Sequence, residues 1–242
     1  MSEEESRSDN RILSGSVLKL IAVITMAIDH TAAHLLEYVP ALGTRLFTLS
    51  LPFISSRAVT PYYIMRAIGR TAFPLFCFLL VEGFMHTSNR LRYGLSLFLA
   101  ALISEIPFDL VHGQFPFGKQ NVFFTLLFGF IGLCIFEHFR DRIVLRGLLL
   151  VALFVFTYFF HADYRIGGVT FILLIYVART ELIVVAFVGC IILQIASFPA
   201  YILMGLYNKK RGFVKGPVLK YAFYLFYPVH LTIIYLIQLA LK

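Results

Sequence analysis

The chain has 242 residues, 60% of them hydrophobic and only 14% charged, with a formal net charge of +8. So much apolar surface excludes a soluble domain, and the repeated apolar runs of about 20 residues point to a polytopic helical membrane protein. The basic residues are scattered through short loops, as topology signals and lipid or phosphate contacts are, and this pattern excludes nucleic acid as a partner.

Residues 1–14 form a polar tail, and no cleavable leader is expected, because Glu3, Glu4 and Glu5 precede an apolar run long enough to stay in the bilayer. The first crossing, about 16–37, carries Lys19, Asp29, His30 and His34. Lys19 and His30 are eleven steps apart, which returns to roughly the same helix face about 16 Å further along the axis. Each ionisable group at a helix centre costs about 2.5–3.5 kcal/mol even on the gentler scales, so a chain that keeps several there uses them. The connection after it is broken by Pro40, Pro52 and Pro61 and reads as a surface-lying or re-entrant segment, with an extra crossing near 42–56 as the alternative.

Crossing two, about 66–86, has Arg66 and Arg70 at one end, Glu82 and His86 at the other, and a kink expected at Pro74. Crossing three, about 93–112, holds Glu105 and Asp109 around Pro107, and its His112 is expected at the membrane interface. A tight connector leads to crossing four, about 120–137, and an arginine-rich loop leads to crossing five, about 144–161. Crossing six, about 166–179, is short; crossing seven is about 181–206; a basic loop follows; crossing eight, about 217–241, contains His230. Cys77, Cys134 and Cys190 each sit in an apolar run and read as buried small hydrophobes, not as a disulfide or metal set.

The fold class is therefore an all-α membrane bundle of about eight transmembrane helices, nine if 42–56 crosses, with residues 15–242 as one transmembrane domain. Eight crossings put Lys209, Lys210, Arg211, Lys215 and Lys220 opposite the N-terminus and split the basic residues almost evenly. An N-terminus inside is preferred, since Arg90, Arg92, Arg140, Arg142, Arg146 and Arg179 then face the cytoplasm. Asp29 and His30, Arg66 and Arg70, Glu105 and Asp109, Asn121, Asp163 and His230 all fall in the half of the bilayer away from the N-terminus. A shared polar chamber explains that convergence, because pairing lowers the cost of groups that lipid would penalise singly.

Chemically, His is suited to take a proton from a nucleophile near neutral pH, with a carboxylate to orient it. Asp29 and His30 point about 100° apart on a helix, so Asp29 is free to pair with an arginine on another helix while a carboxylate from elsewhere serves His30. The same groups also suit a proton- or solute-coupled transporter, and facing histidines suit a haem-bearing electron carrier.

The stretches LKLIAVITMAIDHTAA, IGRTAFPLFCFLLVEGFMHTSNRLRY, ISEIPFDL, QNVFFTLLFGF, ADYRIGGV and YAFYLFYPVHL, in that order over about 17–237, together resemble the TraX family, whose namesake acetylates the N-terminus of conjugative pilin. The Lys-x10-His spacing more loosely resembles the Arg-x10-His signature of membrane acyltransferases that modify surface glycans. The resemblance implies a multi-pass protein of the bacterial inner membrane that transfers acetyl from acetyl-CoA, with no metal. The acceptor is an amine or hydroxyl of a pilin, a glycan or a small molecule, and oligomerisation is left open. It implies His30 as general base with His230 the second candidate, and Asp29, Glu105 or Asp163 orienting. Arg70 and Asn121 would stabilise the oxyanion or line the site, Glu82 and Asp109 would join the acceptor site, and Lys19, Arg90, Arg92 and Arg140 would hold the CoA phosphates.

Overall fold

A chain this apolar must satisfy its backbone polar groups internally, and helices do so within each segment. The computed structural model describes residues 11–36, 38–51, 54–113 and 118–242. The tail 1–10 and part of the connector before crossing four lie outside the described residues. Helix α1 spans Gly15–Leu35, with Ser14 as its N-cap. A 3-10 turn at Pro40–Gly43 leads to β1, Phe47–Leu51, and β2, Ile54–Val59, which pair antiparallel with Phe47 opposite Val59. The segment expected to lie on the surface or re-enter thus holds a short hairpin, the one departure from an all-helical bundle among the described residues.

Helix α2, Pro61–Gly69, is capped by Thr60, and α3, Ala72–His86, continues it after a break at Arg70–Thr71. The break replaces the kink expected at Pro74. That proline sits in the first turn of α3, where the missing N–H would have had no helical partner. Helix α4, Arg90–His112, ends on Gly113 in the left-handed conformation (φ 63°), and α5 spans Val122–His138. Next come α6, Ile143–Phe159, α7, Arg165–Val177, α8, Leu182–Leu193, α9, Phe198–Gly205, and α10, Gly216–Ala240. Five stretches are long and apolar enough to cross a membrane: α1, α2 with α3, α4, α6 and α10. The protein is a helical membrane protein.

The core is built round α5, whose residues Phe123 to Phe130 are all buried. Gly129 lets α7 approach closely, since a Cβ there would fall 2.1 Å from the Ile172 side chain. The 13-residue α7 is roughly 20 Å long, short for a span, but its middle is walled by protein instead of lipid. In contrast α6 buries only Leu153 and Thr157 and faces outward.

Crossing seven is the main correction. Residues 182–205 do not traverse the bundle but turn back on themselves. Gln194, at φ 77°, ends α8; a 3-10 turn at Ile195–Ser197 follows; α9 then runs back until the Cβ position of Gly205 lies 3.0 Å from Leu182. The loop after α9 therefore returns to the N-terminal side. There the Gly15 N–H donates to the Lys210 carbonyl at 2.8 Å and Ser16 N–H to the Arg211 carbonyl at 2.9 Å. Helix α10 consequently runs parallel to α1, with Gln238 donating to the His34 carbonyl at 2.9 Å near its far end. Lys209, Lys210, Arg211, Lys215 and Lys220 join Arg11, Arg92 and Arg140 on one side, the reverse of the expected placement, and the bundle has a basic side and a distal side.

The hairpin makes a topological prediction. With the native cysteines replaced, a cysteine at Lys210 should label from the same membrane face as one at Arg11, and a cysteine at Lys242 from the opposite face together with one at Lys119. Eight full crossings would exchange the Lys210 and Lys242 results, as read by impermeant thiol reagents on intact cells and inverted vesicles.

Candidate active site

On the distal half, α1 turns Asp29 and His30 in different directions. Asp29 Oδ2 accepts from Arg66 Nη1 of α2, so its partner is an arginine from another helix. The two helices meet this closely because residue 69 is glycine: a Cβ there would lie 2.2 Å from the Asp29 Cβ. His30 faces α10, where its Nδ1 lies 2.7 Å from His230 Nε2, with near-parallel rings whose centroids are 5.0 Å apart. The expectation that a carboxylate serves His30 is thus corrected; a second histidine fills that place.

The tautomers follow from the network. His230 Nδ1 lies 2.9 Å from the Phe226 carbonyl oxygen, which can only accept, so His230 carries its proton on Nδ1. A neutral ring has one N–H, so His230 Nε2 is an acceptor and His30 Nδ1–H donates to it. His30 Nε2 is left with its lone pair free.

Two further histidines, not singled out as site residues by the sequence, extend the row. His34 stands one turn beyond His30, with ring centroids 6.0 Å apart, and meets the His112 ring at 4.5 Å. His112 therefore reaches into the row from the exposed end of α4, not simply lying at the interface. Asp109 is 3% exposed, and its Oδ1 has no hydrogen-bond partner among the described residues. Asp163, in the loop between α6 and α7, stands within electrostatic reach of Lys119, His112, Arg70 and Arg66. Though the residue keeps an open face, protein packed round its carboxyl raises it above the ordinary carboxylate range, and those four groups oppose the rise.

Glu105 and Asn121 form a structural knot. Asn121 Nδ2 donates to the Ala101 carbonyl at 2.8 Å and to Glu105 Oε2, while its Oδ1 caps α5 by accepting from the Phe123 N–H at 3.0 Å. Every polar atom of the amide is used, so Asn121 has no donor left for an oxyanion. Among the described residues, no group of three or more His, Cys, Asp or Glu side chains is placed to hold a metal ion.

The basic side carries a cavity of about 910 Å³ between the starts of α1, α4 and α10 and the end of α3. Lys19, Arg92, Lys209, Arg211 and Lys220 line it, along with Glu82 and several tyrosines. Ser16 fixes the loop that supplies two of these cations, donating to the Arg211 carbonyl at 2.6 Å and accepting from the Val214 N–H at 2.8 Å. Of the four residues expected to hold phosphates, Lys19 and Arg92 line this cavity and Arg90 and Arg140 do not. Arg90 lies over the Phe84 ring at 4.3 Å, and Arg140 is exposed on the α5–α6 loop. Glu82, expected at the end of its helix opposite Arg66 and Arg70 but counted with the acceptor site, lines this basic cavity. The cavity reaches inward to Phe123, whose ring is 5.4 Å from Tyr227; the Tyr227 ring is in turn 5.8 Å from His30.

Residues 14–238 match the TraX protein family. The chain belongs to the TraX family. It is also 32% identical over 260 residues to the "Probable fimbrial assembly protein FimC, serogroup H1" of Dichelobacter nodosus, an alignment that covers 94% of this chain and 96% of the relative. No solved structure matches. The TraX match therefore spans both the distal polar row and the basic cavity.

Gly69→Ala should push Asp29 off Arg66 and lower stability by about 1–3 kcal/mol, as overpacking does. In an Asp29→Ala background, where the clashing carboxyl is gone, the same change should cost markedly less. Thermal unfolding in detergent of the two singles and the double variant checks this coupling.

Proposed function

We propose that this protein is an acetyltransferase of the bacterial inner membrane, drawing acetyl-CoA from the basic side and acetylating an amine or hydroxyl acceptor on the distal side. The observation that carries this reading is the His30–His230 pair, set between a cavity lined by five cations and the polar side chains gathered in the distal half. The positive-inside rule supports the orientation: with α8 and α9 as a hairpin, the basic loops gather on one face, which would be cytoplasmic.

The donor set of the basic cavity suits CoA. Lys19, Arg92, Lys209, Arg211 and Lys220 offer charge-assisted contacts to phosphates, and the aromatic floor at Phe123 and Tyr224 suits an uncharged arm. His30 lies about 16 Å along α1 from Lys19, in line with that arm. His30 Nε2 takes the proton of the attacking nucleophile and returns it to the departing thiolate. His230 holds the ring in the tautomer that leaves Nε2 free and accepts the Nδ1–H of the imidazolium that forms. Asp29 is occupied by Arg66, and the pair fixes α1 against α2 instead of touching the base. Arg70, Asp109, Asp163 and Glu105 form the polar lining that the acceptor would meet.

The fimbrial designation of the Dichelobacter relative, with the pilin acetylation of the family's namesake, favours the N-terminus of a pilin-type subunit as acceptor. A glycan or a small molecule fits the same chemistry. A proton- or solute-coupled transporter using these groups would give flux in proteoliposomes with no dependence on acetyl-CoA.

His30→Ala should lower acetyl transfer by at least about 10²-fold while leaving the fold intact. The check is labelled acetyl-CoA incubated with membranes, mass spectrometry of whatever gains an acetyl group, and circular dichroism of the purified variant. Arg211→Gln should weaken acetyl-CoA binding about tenfold or more, as loss of a charged hydrogen bond does, and leave kcat near wild type. Calorimetry and steady-state kinetics separate the two effects.

A further inference from the structure

Resting on the acetyl-transfer reading, we propose that Tyr227 is a catalytic residue whose hydroxyl donates to the oxyanion formed at the thioester carbonyl. Tyr227 stands where the two halves of the site meet. It is 3% exposed, and its ring is 5.8 Å from His30, 5.5 Å from His230 and 5.4 Å from Phe123, which lines the basic cavity. Tyr227 and His230 are one turn apart on α10, so both project toward α1. Tyr227 thus connects Phe123, at the cavity's inner end, to both histidines.

The phenol also stands near a helix start. The first turn of α5 packs against it through Phe123, whose ring meets that of Tyr227 edge-on. Amides of a helix's first turn lack helical partners and lie at the positive end of its dipole. A negative charge forming beside the phenol therefore lies near that positive end. Asn121, the other candidate donor at this level, has every polar atom committed. Arg70 is placed toward Asp29 and Asp163 at the distal end, away from the cavity.

The step balances. The acceptor's nitrogen or oxygen lone pair bonds to the carbonyl carbon, and the π pair moves onto the oxygen that accepts from Tyr227 O–H. His30 Nε2 takes the nucleophile's proton. The oxygen's pair then reforms the carbonyl, the carbon–sulfur bond breaks, and the thiolate takes the proton from His30. Tyr227 keeps its own proton throughout.

Tyr227→Phe retains the ring and removes only the hydroxyl. With labelled acetyl-CoA and membranes as the acceptor source, this variant should lose roughly 10²–10³-fold in kcat while the Kd for acetyl-CoA stays at the wild-type value. A tyrosine that merely separates the two compartments predicts wild-type kcat for Tyr227→Phe, and that result overturns the assignment. Incorporating fluorinated tyrosines of graded acidity at 227 provides a second measure without loss of the hydroxyl: a kcat that tracks phenol acidity supports donation, and a flat series overturns it. If the wild-type protein itself transfers no acetyl, the acetyl-transfer reading falls and this assignment with it, whereas an active wild type with an unaffected Tyr227→Phe sinks the tyrosine alone.

Discussion

The contact between His30 and His230 sets the requirements for the rest of the bundle. Two histidines 200 positions apart meet at 2.7 Å because α1 and α10 pack side by side at the same depth, and here the two helices run in the same direction. Parallel first and last helices need an odd number of full traverses between them, and the α8–α9 hairpin, which makes no net traverse, keeps that number odd. The strained backbone at Gln194 and the close approach at Gly189, where a Cβ would meet the Tyr201 hydroxyl at 2.2 Å, are what let two short helices fold back within the bundle. One local turn thereby decides which membrane face holds the second half of the basic residues.

Charge then sorts itself by cost. On the basic side, cations lie near a membrane surface, where water and lipid phosphate solvate them cheaply. On the distal side, ionisable groups sit deeper and are matched to one another: Arg66 with Asp29, Glu105 with Asn121, histidine with histidine. The exceptions are informative. Asp29 Oδ1, Glu105 Oε1 and Asp109 Oδ1 are buried without hydrogen-bond partners among the described residues. Buried acceptors left unmatched are rare because each costs about 1–3 kcal/mol, and three in the distal half fit a region shaped to receive donors from outside the chain.

Much of this was legible in the sequence for the same energetic reason. Asp29, His30, Arg66, Arg70, Asp163 and His230 could be assigned to one half of the bilayer because intramembrane polar groups are too costly to be incidental. The pairing of Asp29 with an arginine followed from the 100° between neighbouring helical positions. The hairpin was not legible: residues 182–205 form an apolar stretch of crossing length, and only Gln194 and Pro199 interrupt it. With that stretch taken as a crossing, the loop carrying Lys209 and Arg211 fell on the wrong side and the basic cavity could not be assembled. His34 carried a usable signal in its four-residue spacing from His30, whereas His112 is recognisable only once α4, packed against α10, brings its ring to His34. Tyr227 had no signal beyond its place beside Pro228, since tyrosine is common in such helices.

The substitution of a histidine for the expected carboxylate has a physical logic of its own. A carboxylate buried beside an imidazole would hold the resulting ion pair tightly, but it would have to be kept charged through every stage of the cycle in a medium of low polarity. A neutral imidazole fixes the tautomer through the same hydrogen bond without burying a permanent charge. It stabilises the transient imidazolium less, and that matters most where the base must surrender its proton again to a departing thiolate. Asp29, turned about 100° from His30 on α1, is held by Arg66 on the α2 face, which leaves the α10 face to the two histidine rings; under the proposed reaction this arrangement keeps a competing negative charge away from His30.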